Sequence, residues 1–204
     1  MQVFKRAVWL SAVLSLSACG GPEEVTPRED ADALVGRTQT LTTGTSQGCT
    51  FTISYTTLSL APPYYRVDLK RAASETCPWP EATTTLLHGY SVPTLSLAAN
   101  DLGVATGVTR QQSPSVKYGK RCNVRHTAPD TLDVVRDTEI MVAYGSSGVI
   151  QSCNLSIASD GTTLTVTGSK TGPLPGETGT GSSRYVATFP DFFTSTTPPT
   201  YSSF

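Results

Sequence analysis

The sequence predicts an all-β protein, an antiparallel sandwich or a small closed barrel of about 8–10 short strands, stapled by disulfides. Three observations carry this. First, apolar and polar residues alternate: Cys49, Phe51, Ile53 and Tyr55 are separated by Thr50, Thr52 and Ser54. A period of two puts an apolar row on one face of a strand and hydroxyls on the other. Second, only 15% of the residues are charged, and Thr, Ser, Gly and Pro are frequent; such a composition suits an exported β protein better than a helical cytosolic one. Third, past the leader no long stretch keeps a helical period, apart from one short helix expected within residues 67–75.

The leader comes first in the chain. Lys5 and Arg6 form a positive start, residues 7–16 an apolar run, and Leu16-Ser17-Ala18-Cys19 closes it. The run is about half of the ~20 residues that cross a bilayer, so it reads as a signal peptide and not as a spanning helix. The closing tetrapeptide resembles the lipobox of bacterial lipoproteins. That resemblance implies cleavage before Cys19 and a diacylglycerol thioether on its sulfur, with a further acyl chain such as palmitate on its new amino group. One fatty chain holds a protein only reversibly, whereas two or three make a stable anchor. Gly20 and Gly21 stand where an inner-membrane retention signal places aspartate, so the resemblance implies the outer membrane, on either face.

The expected organisation is a signal peptide over residues 1–18, a flexible acidic tether over 19–33, one all-β domain over 34–191, and a loose Ser/Thr/Pro-rich tail over 192–204. The tether holds five acids and little to bury. Removal of the leader leaves 13 basic and 16 acidic residues, a balance that argues against nucleic acid as a partner.

Strands are expected over residues 49–55 and 65–69, then 83–88, 94–98, 102–110, 117–126, 131–135, 140–144, 149–157, 162–169 and 184–189. Val149, Cys153, Leu155 and Ile157 share a face before the turn Ala158-Ser159-Asp160-Gly161, and Leu164 and Val166 return. Asp-Gly between two alternating runs is a strong hairpin signal. Residues 171–182 read as a Gly/Pro loop. Pro198 and Pro199 remove ladder donors from the chain end, and the charges on the other strands' polar faces argue against a membrane-spanning barrel.

Besides Cys19 there are four cysteines, Cys49, Cys77, Cys122 and Cys153. An even number in an oxidising compartment reads as two disulfides. The spacings contain no close Cys pair of the kind zinc sites use. Strand parity points Cys49, Cys122 and Cys153 inward, while Cys77 sits in the extended loop Thr76-Cys77-Pro78-Trp79-Pro80. The economical pairing is Cys49–Cys77 with Cys122–Cys153; Cys49–Cys153 stays open.

No constellation on the chain spells a reaction. Gly145-Ser146-Ser147-Gly148 lacks the spacing of a nucleophile elbow and joins two strands. His88 and His126 are the histidines a general base would need; both fall near strand ends and read as satisfied turn residues. Asp130, Asp133, Asp137 and Glu139 gather closely, yet match no calcium loop and read as solvated carboxylates. Two features suit binding. Arg110, Lys117, Lys120, Arg121 and Arg125 cluster with no acid between Leu102 and Pro129, a pattern that attracts acidic groups or protects a sheet edge. Trp79 lies between two prolines beside Cys77, where it either stacks on a partner or caps the core.

The expectation is therefore a lipid-anchored envelope lipoprotein, a non-enzymatic binding or structural module with no metal and no cofactor. Its partners would be the membrane, through Cys19, and an anionic glycan or a protein. Three other readings stay open: a lipocalin-like barrel around a small apolar ligand, an inhibitor of an envelope hydrolase or protease, and a hydrolase built on His126 with a nearby carboxylate.

Overall fold

The computed structural model describes residues 36, 38–115, 119–143, 148–178 and 182–204. Cys19, the tether, Lys117 and residues 144–147 lie outside the described residues. Within them the protein is all-β and antiparallel, without a helix. Three open meanders form it. The first sheet holds β1 (Thr38–Ser46), β2 (Cys49–Leu60), β3 (Pro63–Ala72) and β4 (Ala82–Gly89), in that order. The second holds β5 (Thr94–Asn100), β6 (Gly103–Arg110), β7 (Arg121–Thr127) and β8 (Val134–Ile140). The third runs β10 (Asn154–Ile157), β11 (Leu164–Thr171), β12 (Arg184–Phe189) and β13 (Thr200–Ser203), with β9 (Val149–Ile150) also on β11.

The sheets stack as a sandwich of three layers, and none closes into a barrel. The middle sheet shows why. On β6, Val104 and Val108 join a core with Phe51, Ile53, Val67 and Leu69 of the first sheet. Ala105, one residue out of phase, joins Val124, Ile150, Val166, Tyr185 and Phe189 in a second core with the third sheet. A strand with both faces buried belongs between two layers. The lipocalin-like reading fails on this geometry, since an up-and-down barrel would surround its ligand with one closed sheet.

The alternating rows fall where the pattern places them: Cys49, Phe51 and Ile53 are fully buried and Tyr55 nearly so, and Tyr65, Val67 and Leu69 line the same core. The cysteines pair as Cys49–Cys77 and Cys122–Cys153, with Cα separations of 4.4 and 6.0 Å. The second disulfide ties the middle sheet to the segment just before β10. The turn after β10 is held by Asp160, whose Oδ1 accepts from the Thr162 and Thr163 amides at 2.9 Å each.

Several expectations are corrected. Residues 67–75 form no helix: β3 continues to Ala72 because its whole length pairs with β2 and β4. The strand expected over 131–135 begins only at Val134, since Leu132 takes a positive φ of 65° to drop its side chain into the first core. The strand expected over 140–144 is absent from residues 141–143, because β8 ends at Ile140. The run over 149–157 is broken between β9 and β10, where Gln151 and Ser152 both donate to the Ser169 carbonyl. That irregularity puts Ile150, not Val149, into the core with Cys153.

The tail is not loose. Phe192 is buried, β13 pairs with β12, and Arg136 donates to the carbonyls of Phe192, Ser195 and Thr197. β1 escaped the sequence pattern because its Thr-rich run offers almost no apolar alternation. The two-residue turn Gln47-Gly48, at φ 49° and 79°, folds it onto β2.

The Gly/Pro loop after β11 is pinned by a buried cation. Lys170 is 1% exposed, and its ammonium donates to Glu177, Gly172 and Ser182 at 2.8, 3.1 and 2.6 Å. Burial pushes the Glu177 carboxyl up, but hydrogen bonds from Lys170 and the Leu174 backbone outweigh it and bring the pKa down to about 2.

Candidate ligand-binding step

β4 is the edge of the first sheet, and it ends the cover over the middle sheet. Beyond it side chains of β7 and β8 are part-exposed, Asp137 at 40%, and Arg110 and Arg125 reach from the middle sheet to β4 carbonyls, so the two sheets form a step. A register shift opposite Val67 and Asp68 leaves Leu86 as an extra residue in this edge strand. Leu86 and Leu87 both turn into the core, and the Leu86 carbonyl accepts from Arg125 Nη1 on the lower level.

Three rings stand on the upper level. Tyr64 precedes Tyr65 of the core row, so parity turns it outward, and His88 stands on the neighbouring strand. The two rings are stacked, with centroids 5.3 Å apart and planes 8° from parallel. Tyr90 closes on Tyr64 at 5.0 Å. His88 is exposed, and the tyrosines are half-buried.

The lower level carries the basic cluster, with its counter-ions. Arg110, Arg121 and Arg125 alternate with core residues on β6 and β7, so all three fall on this face. Arg121 pairs with Glu139 at 2.6 Å, and Arg125 with Asp137 at 2.6 Å. Arg110 Nε donates to Asn123 Oδ1 at 2.8 Å, while its Nη2 stands 3.8 Å from Glu139. Asn123 and Gln112 also donate to Glu139, at 3.0 and 2.6 Å. Burial lowers the Arg110 pKa, opposed by Glu139 and reinforced by the charges of Arg125 and Arg121. Among the described residues three cations face two anions here, a surplus of one positive charge.

The two levels meet again beside the rings. Arg110 Nη1 donates to the His88 carbonyl at 2.9 Å, and the Tyr90 amide donates to the Gln111 carbonyl at 2.8 Å. An aromatic shelf thus abuts a network of guanidinium, amide and carboxylate groups. Rings offer flat apolar faces, and the network offers directed donors and acceptors. That pairing suits a flat molecule with one apolar face and a polar rim.

The other candidates go elsewhere. Lys120 stands beside β9, where its carbonyl accepts from the Ile150 amide at 2.9 Å. Trp79 lies at the opposite end of β4, about 20 Å from His88 at ordinary strand rise. It packs on the first core under the Arg71 guanidinium, 5.6 Å from its ring centroid. Arg71 is buried and donates to the carbonyls of Pro80, Pro129 and Asp130, so that corner is a structural clasp.

His126 is buried against Phe192 and Phe193, at 6.1 and 5.1 Å, and the neighbouring charge is the cation of Arg136. A general base needs a carboxylate or a substrate proton in that place, and the hydrolase reading loses its support. The four clustered acids separate: Asp137 and Glu139 serve the arginines, while Asp130 offers only its carbonyl, to Arg71. Among the described residues no group of three His, Cys, Asp or Glu side chains is placed to hold a metal.

Tyr64 and Tyr90 carried no sequence signal, because a single aromatic beside a strand end is common. Only the β3–β4 pairing brings Tyr64 onto His88. No protein-family model, curated protein or solved structure matches this chain.

Proposed function

We propose that this protein is a lipid-anchored binding module of the bacterial cell envelope, moored through Cys19, that holds an anionic glycan along the step at β4. The observation that carries the reading is the junction of Arg110 with His88, which joins the ring stack to the surplus positive charge. A pyranose ring has a flat C–H face that stacks on tyrosine or imidazole, and its hydroxyl and acidic groups take hydrogen bonds from arginine and amide groups. The lipobox-like end of the leader supports the anchor. A tether of fifteen residues, 19–33, would let the domain range above the lipid surface.

Two measurements test this. Mass spectrometry of the protein from membranes should find an acylated N-terminal peptide beginning at Cys19, and Cys19→Ser should release the domain from the membrane fraction. An array of carboxylated, sulfated and phosphorylated oligosaccharides should retain the wild type. Tyr64→Ala and His88→Ala should each lower that retention at least tenfold, about 1.4 kcal/mol per decade. Equal retention of both variants would remove the step from the function.

A further inference from the structure

The far side of the stack carries a hollow of its own, away from the step at β4. The outer face of the third sheet carries a cavity of about 370 Å³ lined by Ser152, Asn154, Thr167, Ser169, Arg184 and Phe204, among others. Its size falls in the range of small-molecule sites, about 300–1,000 Å³.

The pairing register builds it. Asn154 pairs with Thr167 across β10–β11, and Ser169 pairs with Arg184 across β11–β12. Arg184 and Phe204 exchange both backbone hydrogen bonds at 3.2 Å, so their side chains stand together on one face. Leu155, Val166 and Tyr185 take the intervening positions and point inward. Asn154, Thr167, Arg184 and Phe204 are exposed, with Phe204 at 64%.

These side chains are unspent. Arg66, Arg110, Arg121 and Arg125 each have an acid partner, and Arg71 and Arg136 are tied to backbone carbonyls. Among the described residues Arg184 has none of these, and the amide of Asn154 and the hydroxyl of Thr167 have no hydrogen-bond partner either. An unpaired guanidinium, a free amide, a free hydroxyl and an exposed aromatic ring surround one hollow. Phe204 supplies a flat apolar wall, and a guanidinium such as that of Arg184 can give a planar anion two parallel hydrogen bonds.

We infer that this hollow binds a carboxylated monosaccharide of the uronate class. The carboxylate pairs with Arg184, the ring stacks on Phe204, and the hydroxyls bond to Asn154 and Thr167. A sulfate ion alone lacks the ring, and a neutral hexose lacks the charge, so both should bind at least tenfold more weakly.

The test is isothermal titration of the full-length protein with glucuronate and galacturonate, against glucose and sulfate. At least one uronate should saturate the wild type, and Arg184→Gln should weaken it tenfold or more. Asn154→Ala should weaken it several-fold, and the loss on Arg184→Gln should persist in a Tyr64→Ala background, which separates this site from the step. Thermal unfolding of Arg184→Gln should match the wild type, since Arg184 is exposed. The proposal is overturned if neither uronate saturates, if Arg184→Gln binds as the wild type does, or if glucose or sulfate binds equally well. It is also overturned if Tyr64→Ala abolishes uronate binding, which would move the ligand to the other face.

Discussion

The Arg136 guanidinium lies 4.9 Å from the centroid of the Phe192 ring and also donates to that residue's carbonyl, at 3.3 Å. One side chain thus holds both the ring and the backbone of the segment after β12, with further bonds to Ser195 and Thr197. The chain end is kept against the middle sheet by this clasp as much as by the β13 ladder.

Replacing Arg136 with Met keeps much of the volume but strands three carbonyls. A buried acceptor left without a donor costs about 1–3 kcal/mol, and the cation–π contribution is lost as well. Arg136→Met should therefore lower the urea-derived stability by about 2–4 kcal/mol, and protease should first cut the variant after residue 191. A variant within 0.5 kcal/mol of wild type would show the clasp to be idle.

His126 makes stability depend on pH. Burial lowers its pKa below the ordinary 6.5, reinforced by the Arg136 charge and only partly opposed by a hydrogen bond to the Leu102 backbone. The unfolded chain then binds the proton more readily, so the contribution is complete above the ordinary value and fades as pH falls through it. Urea midpoints measured from pH 8 down to pH 5 should drop more steeply for the wild type than for His126→Phe. Parallel profiles would mean that His126 takes up its proton without cost to the fold.

Gly107 lets the middle and third sheets approach. A Cβ at this position would stand 2.1 Å from Leu155 Cδ1 and 3.1 Å from Cys153 Sγ. Overpacking of this kind costs about 1–3 kcal/mol. Gly107→Ala should lower the midpoint of thermal unfolding accordingly; an unchanged midpoint would mean that the layers part freely.

The two disulfides should differ in access. Cys122 and Cys153 are 0% and 2% exposed between two layers, whereas Cys77 lies in a surface loop. Under native conditions, dithiothreitol followed by alkylation should label Cys49 and Cys77 first, as read by peptide mass spectrometry. Each bridge closes a loop of about 30 residues, worth about 3.5 kcal/mol in the chain-entropy account. Simultaneous Ala replacement of either pair should lower stability by about that amount.

What the chain determined alone was local and periodic. Alternation marked β2, β3, β10 and β11, because a strand with one wet face must write its burial into every second residue. Cysteine parity turned three sulfurs inward and left Cys49–Cys153 open; the observed pairing is the economical one of those the sequence allowed. The basic cluster was legible as a cluster; Arg121 and Arg125 share a face because an even number of positions separates them on β7, and Arg110 joins them by pairing with Arg121. Tertiary structure decided the rest. β1 and β13 carry little apolar pattern, and their places come from ladders and from Arg136. The stacking of three layers rests on β6 being buried on both sides, which looks in sequence like any short apolar strand. The ring stack of Tyr64 with His88, and the hollow around Arg184, exist only through pairing between strands. Register is a relation between segments, and no single segment contains it.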